Sequence, residues 1–283
     1  IQGFEALLAD PETEVILLIS KPPAASVAEK IYAIAKSSPK PVVIDFIGGD
    51  PEAIRAAGAY PCLSFEDAAA KSVALMKGEE VKDFDGFTES DEAIDALVAK
   101  AVATLKPDQT DLLALYTGGT LADEAMKYLG DQFPIYSNIP LSPEMDISNL
   151  KGLRGHICLD LGEDQFTQGR PHPMIDPGTR TDFIESHIDG QTAILLVDLV
   201  MGYGSHEDPA GALADAVIEA RKKLAKEGKD FVAIGSITGT QQDPQDYDAS
   251  LKKMEAAGLI VMPSNAQAVR LVKRVMQKIS QGA

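Results

Sequence analysis

Short runs of β-branched residues alternate with longer Ala-rich stretches along most of the chain. Strands and helices that alternate in this way build βαβ units and a parallel sheet. The first part reads as a helix from Gln2 to Leu8, a strand from Glu14 to Ser20, a helix from Ser26 to Lys36 and a strand from Pro41 to Phe46. A short helix (Pro51 to Ala57) and a longer one (Ser64 to Met76) follow. A parallel sheet would normally supply a strand before the opening helix, so the chain is expected to begin inside a domain. Lys77 to Glu92 is charged, glycine-bearing and poor in apolar residues, and reads as a linker.

A second run of units comes after it. A helix (Glu92 to Leu105) leads to a strand (Asp111 to Tyr116), a helix (Thr120 to Leu129), a long loop and a strand (His156 to Leu161). Another loop precedes a helix from Pro177 to Ile188, a strand from Ala193 to Leu199 and a helix from Pro209 to Lys226. The chain closes with a strand from Phe231 to Ile237, a helix from Gln245 to Ala257, a strand from Leu259 to Val261 and a helix from Ala266 to Ile279. Open parallel sheets bind ligands beyond the carboxyl ends of their strands. The loops at those ends are therefore where chemistry is expected.

Composition narrows the class. The chain has 283 residues, 45% of them hydrophobic, enough for one large domain or two ordinary ones. Its longest apolar runs, Val15 to Ile19 and Ala193 to Val197, are strand-sized, far from the roughly 20 residues of a membrane helix. No signal or transit segment is visible, and the first residue is Ile1 rather than Met, so the natural N-terminus is expected to be missing. Cys62 and Cys158 are the only cysteines and lie far apart. That argues against a disulfide scaffold and a Cys-rich zinc site, and a cytoplasmic location is expected. A formal net charge of -17 disfavours nucleic acid and anionic membranes as partners. A small anionic substrate would need local donors working against that field. No His, Cys, Asp and Glu grouping has metal-ligand spacing, so no metal is expected, and neither a G-x-S-x-G elbow nor a G-x-G-x-x-G fingerprint occurs.

Tyr116-Thr117-Gly118-Gly119-Thr120 joins a predicted strand to a predicted helix. The glycines allow close backbone approach, and the free N–H groups of the helix's first turn point at whatever lies there. Thr117 and Thr120 add hydroxyls. The segment reads either as a phosphate or carboxylate cradle or as a tight turn with a Thr cap. No Lys-Ser/Thr follows, so it is not a Walker A loop. The loop Gly162 to Arg180 carries Gly169-Arg170-Pro171-His172-Pro173-Met174-Ile175-Asp176-Pro177. Its prolines restrict the backbone around His172. Arg170 offers a bidentate fork for an anion, and His172 a donor or proton shuttle. The other reading is a loop pinned by its own hydrogen bonds. Arg180, at the end of this loop, joins the substrate-binding candidates. Asp176 before Pro177 reads as a helix cap.

Two further strand ends carry small or polar residues: Gly202 and Gly204 in Met201-Gly202-Tyr203-Gly204-Ser205-His206-Glu207-Asp208-Pro209, and Thr238 and Gly239 in Ser236-Ile237-Thr238-Gly239-Thr240. Together these segments could ring one pocket with helix N-termini, each partly positive. Lys21 reads as a solvated turn. Arg270, Lys273 and Arg274 read as a solvated face of the last helix, and His156 and His187 as structural.

Two segments carry a resemblance. "FEALLADPETEVILLISKPPAASVAEKI" with "KPVVIDFIGG", within 4–49, resembles the ligase domain of the succinyl-CoA synthetase alpha subunit, and 160–276 resembles the matching domain of the beta subunit. The phrases "LYTGGTLADEA", "DLGEDQFTQGRPHPMIDP", "DLVMGYGSHEDPA" and "SITGTQQDP" are similar to those of the FdrA family, in which both domain types share one chain. This resemblance implies an α/β fold of two flavodoxin-like, parallel-sheet ligase domains. Residues 1–80 would be alpha-like, 81–104 a linker and lead-in helix, and 105–283 beta-like, with the family's N-terminal CoA-binding-like domain missing. It further implies a carbamoyltransferase subunit that exchanges a carbamoyl group between oxalurate plus phosphate and oxamate plus carbamoyl phosphate, in purine (allantoin) catabolism. No cofactor is certain under that reading. The alternatives are an acyl-CoA synthetase of the nucleotide-forming type, with CoA or a nucleotide as cofactor, and a non-catalytic scaffold. Other subunits of one complex, or a second copy in a homodimer, are the implied partners. Synthetase alpha subunits carry a phosphorylated His in Gly-His-Ala-Gly-Ala, and by resemblance Ala56 occupies that position. In the carbamoyltransferase reading Arg170 would clamp an anion, His172 would serve the carbamoyl group, and Gly118-Gly119-Thr120 would cradle phosphate.

Overall fold

The computed structural model describes residues 1–147 and 153–282. They form two compact units, Ile1–Gly86 and Phe87–Ala283. Both sheets are wholly parallel, as the alternation of strands and helices predicts. No helix among the described residues is long and apolar enough to cross a membrane.

The first unit contains α1 (Gln2–Ala9), β1 (Ile16–Ser20), α2 (Ala25–Lys36), β2 (Val42–Phe46), α3 (Pro51–Ala56), β3 (Tyr60–Pro61) and α4 (Phe65–Lys77). Its three strands lie in the order β1-β2-β3. Strand alternation sends Ile16 and Leu18 of β1, with Val42, Ile44 and Phe46 of β2, to one face. There they pack with Phe4, Ile31 and Ile54 of the first three helices. Ser64 caps α4 by accepting from the Asp67 N–H at 3.1 Å, and Gly78 ends it in the left-handed region at φ 67°.

Asp67 is fully buried and forms an ion pair with Lys71 at 2.8 Å. Lys71 also reaches Asp83 at 2.5 Å, and the Phe84 N–H donates to Asp67 at 2.8 Å. Asp83 and Phe84, in the stretch that reads as a linker, are thus tied to the first unit. Four residues later the Thr88 N–H donates to Gln267 Oε1 of the second unit's last helix at 3.1 Å.

The second unit contains α5 (Asp91–Val102), β4 (Asp111–Tyr116), α6 (Gly119–Leu129), β5 (Ile135–Ser137), a 3-10 turn (Pro143–Met145), β6 (His156–Asp160) and the short α7 (Asp164–Thr167). These are followed by α8 (Gly178–His187), β7 (Thr192–Val200), α9 (Pro209–Ala225), β8 (Val232–Thr238), α10 (Tyr247–Ala256), β9 (Leu259–Met262) and α11 (Asn265–Gly282). The strand order is β5-β6-β4-β7-β8-β9. The loop expected between α6 and β6 holds β5, too short to show in the sequence; residues 148–152 of that loop lie outside the described residues.

One face of this sheet packs α5, α6 and α11, through Ile94, Met126 and Val272. The other packs α8, α9 and α10, through Ile184, Leu213 and Met254. The connection leaving β4 therefore runs to one face, and those leaving its neighbours β6 and β7 run to the other. Such a divergence opens a crevice at the carboxyl end of β4.

One expectation fails here. Arg270, Lys273 and Arg274 do not form a solvated face. Arg270 is buried over the Tyr128 ring, 5.0 Å from its centroid, and donates to the Tyr128 hydroxyl at 2.7 Å. Lys273 donates to Asp131 at 2.8 Å, and Arg274 pairs with Asp91 and Asp95 at 2.9 and 3.0 Å. Aromatic rings and acids of α5, of α6 and of segments next to them supply partners that the spacing of three basic residues does not reveal.

Candidate functional site at the carboxyl edge of β4

The edge is organised around Asp198, 1% exposed on β7. Its carboxylate accepts from the Thr117 N–H at 3.0 Å and from the Thr117 hydroxyl at 2.6 Å. Arg180, 2% exposed, donates Nη1 to the Asp198 carbonyl at 2.6 Å and to its carboxylate at 3.1 Å. Burial pushes the Asp198 carboxyl up, while Arg180 and Thr117 pull it down. Burial likewise lowers Arg180, against the pull of Asp198. Charges taken this far from water persist because each satisfies the other. Asp198 thereby fixes the turn that leaves β4 and ties α8 to β7. Ser236 is its register partner on β8, and the Ser236 hydroxyl is buried without a hydrogen-bond partner.

Gly118 is the N-cap of α6, with extended backbone and no side-chain cap. The first-turn N–H groups of Gly119 and Thr120 therefore lack the intrahelical acceptors that later residues have. The other helices at this edge differ. Asp208 accepts from the Gly211 N–H at 2.8 Å at the start of α9, and Asp246 from the Ala249 N–H at 3.0 Å at the start of α10. Asp176 accepts from the Gly178 N–H at 2.9 Å in the turn before α8. The N-cap of that helix is Pro177 and no side chain caps it, so the expected cap lies one residue too early, because Pro177 itself stands outside the first helical turn. The sequence suggests a ring of positive helix ends, but carboxylates cap two of them, α9 and α10.

The loop after β6 brings His172 to the α6 turn. His172 Nδ1 accepts from the Met174 N–H at 3.3 Å. Its Nε2 lies over Gly162, where a methyl group would stand 2.6 Å from Nε2, 3.0 Å from the Thr117 carbonyl oxygen and 3.1 Å from Asp160 Oδ1. Asp160 is buried at the end of β6, and its Oδ1 accepts from the Gly162 N–H at 2.8 Å. Arg170 lies on the surface, paired with Asp182 at 3.0 Å. An exposed pair of this kind is weak, so the guanidinium can exchange its partner for a ligand.

The remaining candidates lie in the next two loops. Gly202 and Gly204 adopt φ 138° and 85° on either side of Tyr203, which is 91% exposed. Gln245 clamps this loop: it accepts from the Gly202 N–H at 3.1 Å and donates to the Gly202 and His206 carbonyls at 2.9 and 3.2 Å. The His206 N–H donates to the Met174 carbonyl at 2.8 Å, tying this loop to that of His172. Thr238 is exposed, and Gly239 backs onto Met201, where a methyl group would meet Met201 Cβ at 2.8 Å. Lys21 is exposed at the end of β1. Among the described residues no group of His, Cys, Asp or Glu is placed to hold a metal ion.

The residues that organise the edge, Asp198, Asp160 and Gly162, are not singled out by the sequence motifs. A signal was present: Asp198 and Asp160 are acids within apolar runs that read as buried strands, where a charge needs a buried partner.

The chain is similar to several known proteins. It is 34% identical over 271 residues to the uncharacterized protein YahF of Escherichia coli K12, covering 95% of this chain and 52% of that one. It thus spans about half the length of that curated relative. Among solved structures, the apo form of the dinucleotide-forming acetyl-coenzyme A synthetase 1 of Ca. Korarchaeum cryptofilum superposes with a TM-score of 0.36 at 14% identity, covering 99% of this chain and 57% of that one. PH0766 from Pyrococcus horikoshii OT3 superposes with a TM-score of 0.34 at 10% identity, covering 99% and 55%. The CoA-ligase family profile matches residues 115–275. That span runs from the end of β4 into α11 and takes in Thr117, His172, Arg180 and Asp198; the chain belongs to the CoA-ligase family.

Proposed function

We propose that the chain supplies ligase domains to an acyl-CoA-synthetase-like enzyme and binds the phosphate end of an activated acyl group at the first turn of α6. The observation that carries this reading is the uncapped start of α6, held from beneath by Asp198 and free of any carboxylate cap. Helix N-termini with open N–H groups favour phosphate and carboxylate oxygens. Arg170 would add a bidentate fork and His172 a further donor, both next to developing negative charge. Gly118, Gly119 and Thr120 would touch the anion. Thr117 and Arg180 would act through Asp198, because their side chains hydrogen-bond to it. CoA and a nucleotide would be the co-substrates.

The FdrA-type reading, a carbamoyltransferase subunit, has one specific observation in its favour. All four histidines lie at or after His156, so residues 1–86 contain none. A phosphohistidine relay therefore has no residue to use in the first unit, where Ala56 is the last residue of α3. Carbamoyl transfer needs an anion cradle and a donor but no such relay. In this reading the first unit is alpha-like and the second beta-like, and partner subunits or a second copy complete the complex.

One pair of assays separates the two. The protein is given CoA, ATP or GTP and a short carboxylic acid, and separately oxamate with carbamoyl phosphate, each with and without its co-purifying partners. Acyl-CoA formation supports the first reading and oxalurate formation the second. Neither product from folded, assembled protein would overturn both.

A further inference from the structure

Gly162 has no conformational reason to be glycine, since its backbone lies outside the left-handed region. What requires glycine is space. Three polar atoms from three segments crowd the position of its missing side chain: His172 Nε2 from the loop after β6, the Thr117 carbonyl from the β4–α6 turn, and Asp160 Oδ1 from the end of β6. The imidazole thus rests on the Gly162 backbone beside the residue that precedes the α6 cap.

The hydrogen bonding of the ring fixes its chemistry. Nδ1 accepts from the Met174 N–H. An imidazole nitrogen that accepts has no proton, so in the neutral ring the proton sits on Nε2. The short turn behind the ring holds this arrangement: the Ile175 and Asp176 N–H groups both donate to the His172 carbonyl, at 2.8 and 3.0 Å. Pro171 and Pro173 stiffen the backbone on either side. Among the described residues no group accepts from Nε2.

We propose that His172 serves the site as a neutral hydrogen-bond donor through Nε2–H, directed at an anionic oxygen of a phosphate or carboxylate ligand, and that Gly162 is the positioning residue that makes room for it. This rests on the reading of the α6 turn as an anion cradle, and it replaces the proton-shuttle role that residue type alone suggests. An imidazole that lends a proton without giving it up lets an enzyme stabilise oxyanion charge with no charge of its own.

The test is long-range proton–nitrogen NMR of the full chain, labelled with 15N-histidine and backbone 15N, at neutral pH and during titration with inorganic phosphate. The His172→Gln spectrum identifies the His172 signals. If that variant does not fold, single replacements of the other three histidines identify them by elimination. The expected result is a proton on Nε2, a bare Nδ1, and an Nε2–H signal that moves with the Gly119 and Thr120 amides as phosphate is added. Gly162→Ala should displace the ring and weaken phosphate binding about tenfold, the equivalent of one charge-assisted hydrogen bond. His172→Gln, whose amide N–H can stand in for Nε2–H, should retain most of the affinity. A proton on Nδ1, or on both nitrogens, overturns the proposal. So does an Nε2–H signal that stays still while the Gly119 and Thr120 amides move, an outcome that leaves the cradle reading intact. If those amides do not respond to phosphate, the cradle reading fails, and this proposal fails with it.

Discussion

The buried carboxylate of Asp198 accepts both the N–H and the hydroxyl of Thr117, at 3.0 and 2.6 Å, and so fixes the turn between β4 and α6 from a neighbouring strand. The same carboxylate neutralises Arg180. Asp198→Ala should therefore destabilise the second unit by about 3–5 kcal/mol, the usual cost of leaving a buried charge without its partner. Urea unfolding followed by hydrogen exchange in β4 and β7 reads this directly. The double replacement Asp198→Leu with Arg180→Met should recover part of the stability. It should not recover phosphate binding, because the Thr117 turn stays unsupported. Recovery of both would show that the pair serves stability alone.

Arg170 and Asp182 form an exposed pair. Arg170→Ala should shift stability by less than about 0.5 kcal/mol. If Arg170 clamps the ligand, the same change should weaken anion binding about 10- to 100-fold, in line with about 1.5–3 kcal/mol for a hydrogen bond to a charged group. Unchanged affinity by calorimetric titration would remove Arg170 from the site.

Lys71 lies buried between Asp67, Asp83 and the Pro61 carbonyl. Lys71→Met should leave Asp67 as an uncompensated buried charge and destabilise the first unit by about 3 kcal/mol. Exchange should rise in α4 and in the segment around Phe84, whose N–H Asp67 accepts. The six-stranded sheet of the second unit should keep its protection. A uniform loss across both units would mean that they unfold as one.

His156 packs edge-on against Phe133, with ring centroids 5.6 Å apart. Burial holds it below the usual histidine range, against the opposing pull of Asp111. The folded state thus favours the neutral ring more than the unfolded state does. The stability this contributes is present above the unfolded value of about 6.5 and is lost as pH falls through the lower folded value. His156→Phe should flatten the fall in stability between about pH 7 and 5, measured as urea midpoints across that range. An unchanged slope would assign the acid sensitivity to other groups.

The sequence by itself determined the parallel α/β architecture. Runs such as Ala193 to Val197 are apolar on both faces, which only a sheet covered on both sides satisfies, and helix starts are marked by caps such as Asp208-Pro209. It also placed the unusual loops at the strand ends, because glycines and prolines leave a local signature. Tertiary structure decided which of those loops act together. Thr117, Arg180 and Asp198 are separated by up to 81 residues and meet only because β4 and β7 are neighbours in the sheet. Strand order is a long-range property, set by which faces the connecting helices cover, and no local pattern encodes it. For the same reason the basic residues of α11 look solvated in the sequence yet are paired in the fold. Gly162 shows the limit most clearly. Its need for glycine comes from three neighbouring atoms, one of them the Thr117 carbonyl of the β4–α6 turn 45 residues earlier, and not from its own backbone, so only packing reveals it.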